Sequence, residues 1–275
     1  MTEEIQNLFK KSKEIRLDVL EICISNGGHI ASSYSCLEIM ITLYYSGLMN
    51  ISPENSGIDS RDRFILSKGH GCLALYSILI DKGFIKKREL SKFCKFDSIL
   101  GGHPEFNKIN GVEASTGSLG HGLPIAVGMA VAAKIKKSKH KVVVVTGDGE
   151  MNEGSNWEAA MTASKHKLSN LTLIIDYNKI QSYGYTKDVL DMEPLKEKLT
   201  SFGFACKEVD GHNVEKLKKI FKKLPFNSKK PSAIICHTIK GKGITYAEGK
   251  PEWHHKSKLT NQDIEKMYES IDQYN

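Results

Sequence analysis

Residues 141–149, Lys-Val-Val-Val-Val-Thr-Gly-Asp-Gly, restrict the architecture more than any other stretch. β-Branched side chains are stiff and pack well on a pleated surface, so four valines in a row specify a strand. With no polar residue alternating among them, both faces of that strand must be buried. Such strands belong to parallel sheets covered by helices on two sides. The run then stops at Gly147-Asp148-Gly149 and passes into helix formers. A carboxylate between two glycines at this point has two readings. In the first it caps the helix beginning near Ser155. In the second it serves a ligand, because open α/β sheets bind ligands outside the carboxyl ends of their strands. The glycines let a ligand approach the backbone, and a helix N-terminus favours an anion. Asp148 is then a hard oxygen ligand beside an anion, as a Mg²⁺-bound phosphate requires.

Further apolar runs at 63–67, 170–176, 204–210 and 232–238 alternate with helical segments at 35–46, 71–83, 118–137, 155–168, 191–202 and 213–224. A helix over about 3–25 precedes them, and one over 260–270 follows with Thr260 as its cap. This alternation predicts an α/β fold, a parallel sheet with helices on both faces, and a single domain over 1–275. The glycine-rich stretch 99–122 is longer than ordinary connections and marks a functional or disordered loop. Consecutive strands of a βαβ unit are often neighbours, so Asn178, just past the 170–176 strand, can meet Asp148. Together with the Ile180 carbonyl they would form half of an octahedron. Diphosphate oxygens and a water would complete it.

Other function classes find little support. The net charge of +7 invites a nucleic-acid reading, but only four of the basic residues are arginines and no nucleic-acid-binding motif is present. The basic run 216–230 reads as an amphipathic helix with Leu217, Ile220, Phe221 and Leu224 on one face. An anionic small molecule is compatible with the charge. No stretch approaches a membrane span and the N-terminus lacks an apolar leader, so a cytoplasmic protein is expected. Six scattered cysteines without a Cys-x-x-Cys pair, mostly in apolar contexts, read as reduced structural thiols acting as small hydrophobes.

Histidines 29, 70, 103 and 121 each sit beside glycine, where packing demands little of them. Imidazole donates or accepts a proton near neutral pH and suits sugar hydroxyls. His212 and His237 lack that setting and read as structural or unassigned.

These pieces carry a family resemblance. Gly-Asp-Gly at 147–149, 28 residues, then Asn178 resembles the thiamine diphosphate motif. GGHIASS (27–33), DRFILSKGHG (62–71), GGHPE (101–105), GVEASTGSLGHGL (111–123), GDGEMNEGSNWEAA (147–160), DYNKIQ (176–181), EVDGH (208–212) and KGKG with PEWHH (240–243, 251–255) resemble the transketolases in order. The resemblance implies the thiamine diphosphate-binding fold, specifically its diphosphate-binding domain, with that cofactor and Mg²⁺, and with Ca²⁺ or Mn²⁺ as substitutes for the metal. It implies Asp148, Asn178 and the Ile180 carbonyl as metal ligands. Gly149, His70, Lys240 and either His254 or His255 would surround the diphosphate. Ser32 and Gly117-Ser118-Leu119 would form the wall behind the cofactor, with Gln181 close to the thiazolium ring. His29 and His103 would line the substrate channel and Glu153 would link paired active sites; with His254 these are the implied catalytic residues.

The implied reaction moves a two-carbon ketol unit from a ketose, or ketose phosphate, to an aldose, with the cofactor as electron sink. The family's activating glutamate belongs to a pyrimidine-binding domain that follows the stretch matched here. Glu38, Glu113 and Glu153 are the internal stand-ins, none of them beyond the diphosphate-binding domain. The resemblance is therefore to the N-terminal half of a split transketolase, whose C-terminal partner subunit completes an α₂β₂ assembly. A 1-deoxyxylulose-5-phosphate synthase-like enzyme and a non-catalytic cofactor-binding subunit are the alternatives. His121 stands where many transketolases carry Gln, which bears on sugar preference and leaves donor and acceptor open.

Overall fold

The computed structural model describes residues 2–254, 256 and 258–274. Its strands are β1 (Arg63–Leu66), β2 (Val142–Gly147), β3 (Leu171–Tyr177), β4 (Ile180–Gln181), β5 (Gly184–Tyr185), β6 (Ala205–Asp210) and β7 (Ser232–His237). The helices are α1 (Glu3–Asn26), α2 (Ile30–Ser35), α3 (Leu37–Tyr45), α4 (Cys72–Asp81), α5 (Gly122–Ile135), α6 (Gly154–Lys165), α7 (Thr186–Val189), α8 (Leu195–Ser201), α9 (Val214–Phe221) and α10 (Asn261–Asp272). Five strands form one sheet in the order β1-β2-β3-β7-β6, and every pairing in it is parallel. β4 and β5 make a separate antiparallel hairpin.

Successive valines of β2 point to opposite faces, which is why the whole run can be apolar. Val143 and Val145 join Phe64, Leu66, Ile174 and Ile234 in a core built with α1, α3, α4, α9 and α10. Val142 and Val144 join Ile65, Leu173, Ile175 and Ile235 in a second core with α5, α6 and α8. The parallel sheet with helices on both faces is as the sequence predicts. Of the cysteines, 23, 36, 72 and 236 are buried free thiols. Among the described residues no helix is long and apolar enough to cross a membrane.

Several boundaries differ from the sequence reading. The helix expected over 35–46 is α3, which starts at Leu37, and a further short helix, α2, lies directly before it and meets it at Cys36. The one expected from 118 starts at Gly122, and backbone N–H groups at its start go to side chains rather than to carbonyls one turn back. Gly120 donates to Glu150 Oε1 at 3.0 Å and Gly122 to Ser67 Oγ at 3.1 Å. The one expected from 191 starts at Leu195, consistent with the bias against helical backbone ahead of Pro194. The β4–β5 hairpin has no counterpart in the sequence reading. In α9, Leu217 and Phe221 are buried, with Ile220 and Leu224 packed alongside.

Register brings the key chain positions together. Gly147 pairs with Asp176 across β2–β3, and Asp176 with Cys236 across β3–β7. Past β3 the chain runs to α8 on one face; past β7 it runs to α10 on the other. Neighbouring strands whose exits diverge leave a crevice between them, the usual ligand site of this architecture.

Candidate cofactor site

That crevice opens into a cleft of about 480 Å³ lined by His29, Lys68, His70, His103, Asp148, Asn178, Gln181, Lys240 and His254, among others. Asp148 is 2% exposed. One carboxylate oxygen accepts from Gly149 N at 2.8 Å and the other from Lys179 N. The capping reading thus has substance, but the capped element is a 3₁₀ turn over Gly149–Asn152 rather than α6. Asn178 Oδ1 accepts from Ile180 N at 3.1 Å, a local turn closed with Lys179 at φ +65°. Across the crevice Lys240, 2% exposed, donates from Nζ to the Ile180 carbonyl at 3.4 Å. Asp148, Asn178, Ile180 and Lys240 therefore converge from three neighbouring strand ends.

Beneath them lies a charge pair that sequence reading does not single out. Lys68 and Asp176 are ion-paired, with side chains 1% and 0% exposed. Asp176 also accepts from Ser35 Oγ at 2.6 Å, Asn178 Nδ2 at 3.1 Å and Thr238 Oγ1. Lys68 donates onward to the Ser32 carbonyl at 3.0 Å. Burial works against both charges, yet each stabilises the other: Asp176 is held below the usual carboxylate range and Lys68 above the usual amine range. A signal exists in the sequence. RFILSK and LTLIID each end an apolar strand in one charge, and a buried charge needs a partner. Glu150 is a second residue that sequence reading misses; it accepts from Ser67 Oγ, Gly120 N at 3.0 Å and Gly147 N at 3.2 Å.

The upper rim is imidazole-rich. His29, His70 and His254 lie with ring centroids 5.8–6.5 Å apart. Burial, then the charges of Lys68 and Lys240, push His70 well below the ordinary histidine value, so it is neutral at pH 7. His103 joins from the 99–122 loop and rests on Gly117, where an added Cβ would lie 2.8 Å from the ring. Gly149 is as constrained: its Cβ would lie 2.7 Å from Gln181 Cβ.

The sequence profile described as "Transketolase, thiamine diphosphate binding domain" matches residues 8–272. The chain belongs to the transketolase family. It corresponds to the N-terminal, thiamine diphosphate-binding subunit of a split transketolase. It is 44% identical over 251 residues to an apulose-4-phosphate transketolase subunit of Actinobacillus succinogenes, covering 90% of each chain. It is 38% identical to "6-deoxy-6-sulfo-D-fructose transketolase subunit SqwG" of Clostridium sp., covering 95% of each. Human transketolase is 36% identical over 98% of this chain, which spans 43% of the human protein. The crystal structure of Campylobacter jejuni transketolase superposes with a TM-score of 0.88 at 29% identity, over 99% of this chain and 43% of that one.

Not every residue assigned from the transketolase resemblance reaches the cleft. Gly117, Leu119, Gly149, Glu153 and Gln181 line it. Ser118 and His121 are exposed outside its wall. Ser32 is fully buried behind Lys68 and offers its carbonyl there rather than a surface to the cleft. His255 lies outside the described residues. Of the internal glutamates, Glu113 is tied to Arg61 and Arg63, and Glu38 to Arg16.

Proposed function

We propose that this chain is the diphosphate-binding subunit of a two-chain, thiamine diphosphate- and Mg²⁺-dependent transketolase. It transfers a two-carbon ketol unit from a ketose or ketose phosphate to an aldose acceptor. The observation that carries this reading is the convergence of Asp148, Asn178, the Ile180 carbonyl and Lys240 in one buried corner.

The corner fits a metal-bound diphosphate on its own chemistry. Burial first, then the neighbouring Asp176, raise the Asp148 carboxyl, so a cation there would relieve an uncompensated charge. Burial first, then Lys68, lower the Lys240 amine, so an anion there would relieve the opposite one. Gln181 Nε2 and Asn152 Oδ1 are buried without partners beside the same cleft. Among the described residues no group of three or more His, Cys, Asp or Glu side chains is placed to hold a metal. One carboxylate with an amide and a backbone oxygen suits Mg²⁺, which takes few carboxylates plus phosphate oxygens.

When bound, thiamine diphosphate supplies the electron sink. The chain's own groups do the rest. Asp148, Asn178 and the Ile180 carbonyl hold the metal, with Ca²⁺ or Mn²⁺ as substitutes. Gly149, Lys240, His70 and His254 surround the diphosphate, and Gly117, Leu119 and Gln181 bound the cofactor's body. Neutral His70 donates a hydrogen bond without adding charge. His29 and His103 exchange protons with sugar hydroxyls at the channel. His103 is exposed and stands apart from Asp148 in sequence and element. His103→Ala is accordingly expected to lower turnover by roughly a hundred-fold, a general acid–base effect. Thiamine diphosphate affinity should stay within a few-fold, as steady-state kinetics and a cofactor titration would read. Lost cofactor affinity with normal turnover at saturation would reverse the assignment.

A partner is the second part of the reading. Relatives of nearly the same length are named as subunits, and single-chain transketolases are more than twice as long. α5 leaves Ile125 and Ile135 37% and 76% exposed, and α6, which packs against it, leaves Met161 55% exposed. Apolar surface of this kind favours association. The expected assembly is α₂β₂, with Glu153 linking its two sites. Ketol transfer measured with cofactor and Mg²⁺ should be absent for this chain alone and appear on adding the C-terminal subunit. Full turnover without it would refute the two-chain reading, and cofactor binding without turnover in the complex would favour a non-catalytic subunit.

A further inference from the structure

Away from the cleft and the Lys68–Asp176 pair beneath it, Glu38 and Arg16 are two further charges that are fully buried. Arg16 Nη1 lies 2.6 Å from Glu38 Oε1, which also accepts from Ser12 Oγ at 2.5 Å and Tyr274 OH at 3.2 Å. Such a pair is weak evidence of stability, since desolvation offsets much of its attraction. What distinguishes it is where its connections end. His212 Nδ1 meets the second oxygen, Glu38 Oε2, at 2.9 Å, while Ile239 N–H donates to His212 Nε2 at 2.8 Å. Nε2 is therefore bare and the proton sits on Nδ1, fixing both ends of the ring. From the other side Arg16 Nε donates to the Lys242 carbonyl at 3.3 Å, and an added Cβ on Gly243 would lie 2.8 Å from that same Nε.

We propose that His212 is a positioning residue that braces the Ile239 backbone against the Glu38–Arg16 pair and thereby holds Lys240 at the cofactor's diphosphate. This rests on the reading that Lys240 grips the diphosphate. The backbone needs such bracing because the buried ammonium's closest partner is a carbonyl at 3.4 Å. A long lysine stem so weakly held at its tip keeps its place only if its Cα does. Residues 239 and 242 are pinned on either side of it, and Gly249 N donates to the Lys240 carbonyl at 2.9 Å. Partners that orient ligand-bearing groups are worth about ten- to a hundred-fold in affinity at metal sites.

The test separates the two ends of the ring in the complex of this chain with its C-terminal subunit. His212→Gln places an amide oxygen near Nε2 and keeps an acceptor for Ile239. His212→Asn places an amide nitrogen near Nδ1 and keeps only the bond to Glu38. Calorimetry with thiamine diphosphate and Mg²⁺ should find the Gln variant within about three-fold of wild type. The Asn variant should bind roughly ten-fold more weakly, with kcat at saturation and melting temperature matching the Gln variant. Equal affinities in both variants, or losses that track melting temperature, would overturn the proposal. If neither variant folds, ¹⁵N shifts of histidine-labelled wild-type protein decide it: an Nε2–H tautomer at His212 excludes the brace. Lys240→Met is the control on the cofactor reading. Wild-type affinity in that variant would sink the diphosphate assignment, whereas its loss beside an intact His212→Asn would sink this inference alone.

Discussion

Asp148→Ala should abolish metal-dependent thiamine diphosphate binding, with affinity falling at least a hundred-fold by calorimetry. Removing the sole carboxylate from an oxygen set of three leaves the amide of Asn178 and a carbonyl to face a divalent ion, and a bound cation is commonly the largest local charge in its site. The same change should cost the cofactor-free chain little. Burial already strains the ionised Asp148, so the two backbone hydrogen bonds it loses, each worth about 1 kcal/mol, are offset by removing a desolvated charge. Melting curves with and without cofactor and Mg²⁺ separate the outcomes. Wild-type affinity in the variant would remove Asp148 from the metal site.

Asp176→Ala should behave in the opposite way, collapsing stability with or without cofactor. It strips Lys68 of its counter-charge in a fully buried setting, leaves the Thr238 hydroxyl without its acceptor and leaves Ser35 only the Ser32 carbonyl. Breaking a buried pair from one side costs about 3–5 kcal/mol, enough to threaten a domain of ordinary stability. The double variant Lys68→Met/Asp176→Asn should recover much of the loss, because no bare ammonium remains and the asparagine amide still offers one acceptor oxygen, on the side of either Ser35 or Thr238. Urea denaturation reads both. A double variant no more stable than Asp176→Ala would mean that hydroxyl geometry, not the buried lysine, dominates.

These contrasts show what can be read from the chain and what cannot. β2 and β3 are legible because their burial is continuous and local: Val142–Val145 are all apolar, and so is Leu171–Ile175 but for Thr172. The meeting of Asp148 and Asn178 follows from one βαβ step. The pairing of Lys68 with Asp176 spans 108 positions, and that of Glu38 with His212 spans 174, so no local pattern reports either. Ser32 is placed on the cofactor wall by motif order alone. Order along a chain does not say which side of a helix faces a cleft, and α2 is buried on every side. The break at Cys36 is hidden for the same reason: with both flanking helices buried all round, no polar stripe changes phase there.

The seats of His103 on Gly117 and Gln181 against Gly149 bear on how sugar preference in such an enzyme can be altered. A mutant library spread evenly over the cleft lining would waste most of its members, because a single methyl at either glycine displaces a functional side chain before any sugar is sampled. Room for variation lies where side chains already meet solvent. His121, outside the wall, and Tyr183, 88% exposed at the hairpin tip, can change in size and polarity without moving a buried atom. Selection for new donors should therefore enrich substitutions at Tyr183, the one of the two that lines the cleft, and return both glycines unchanged.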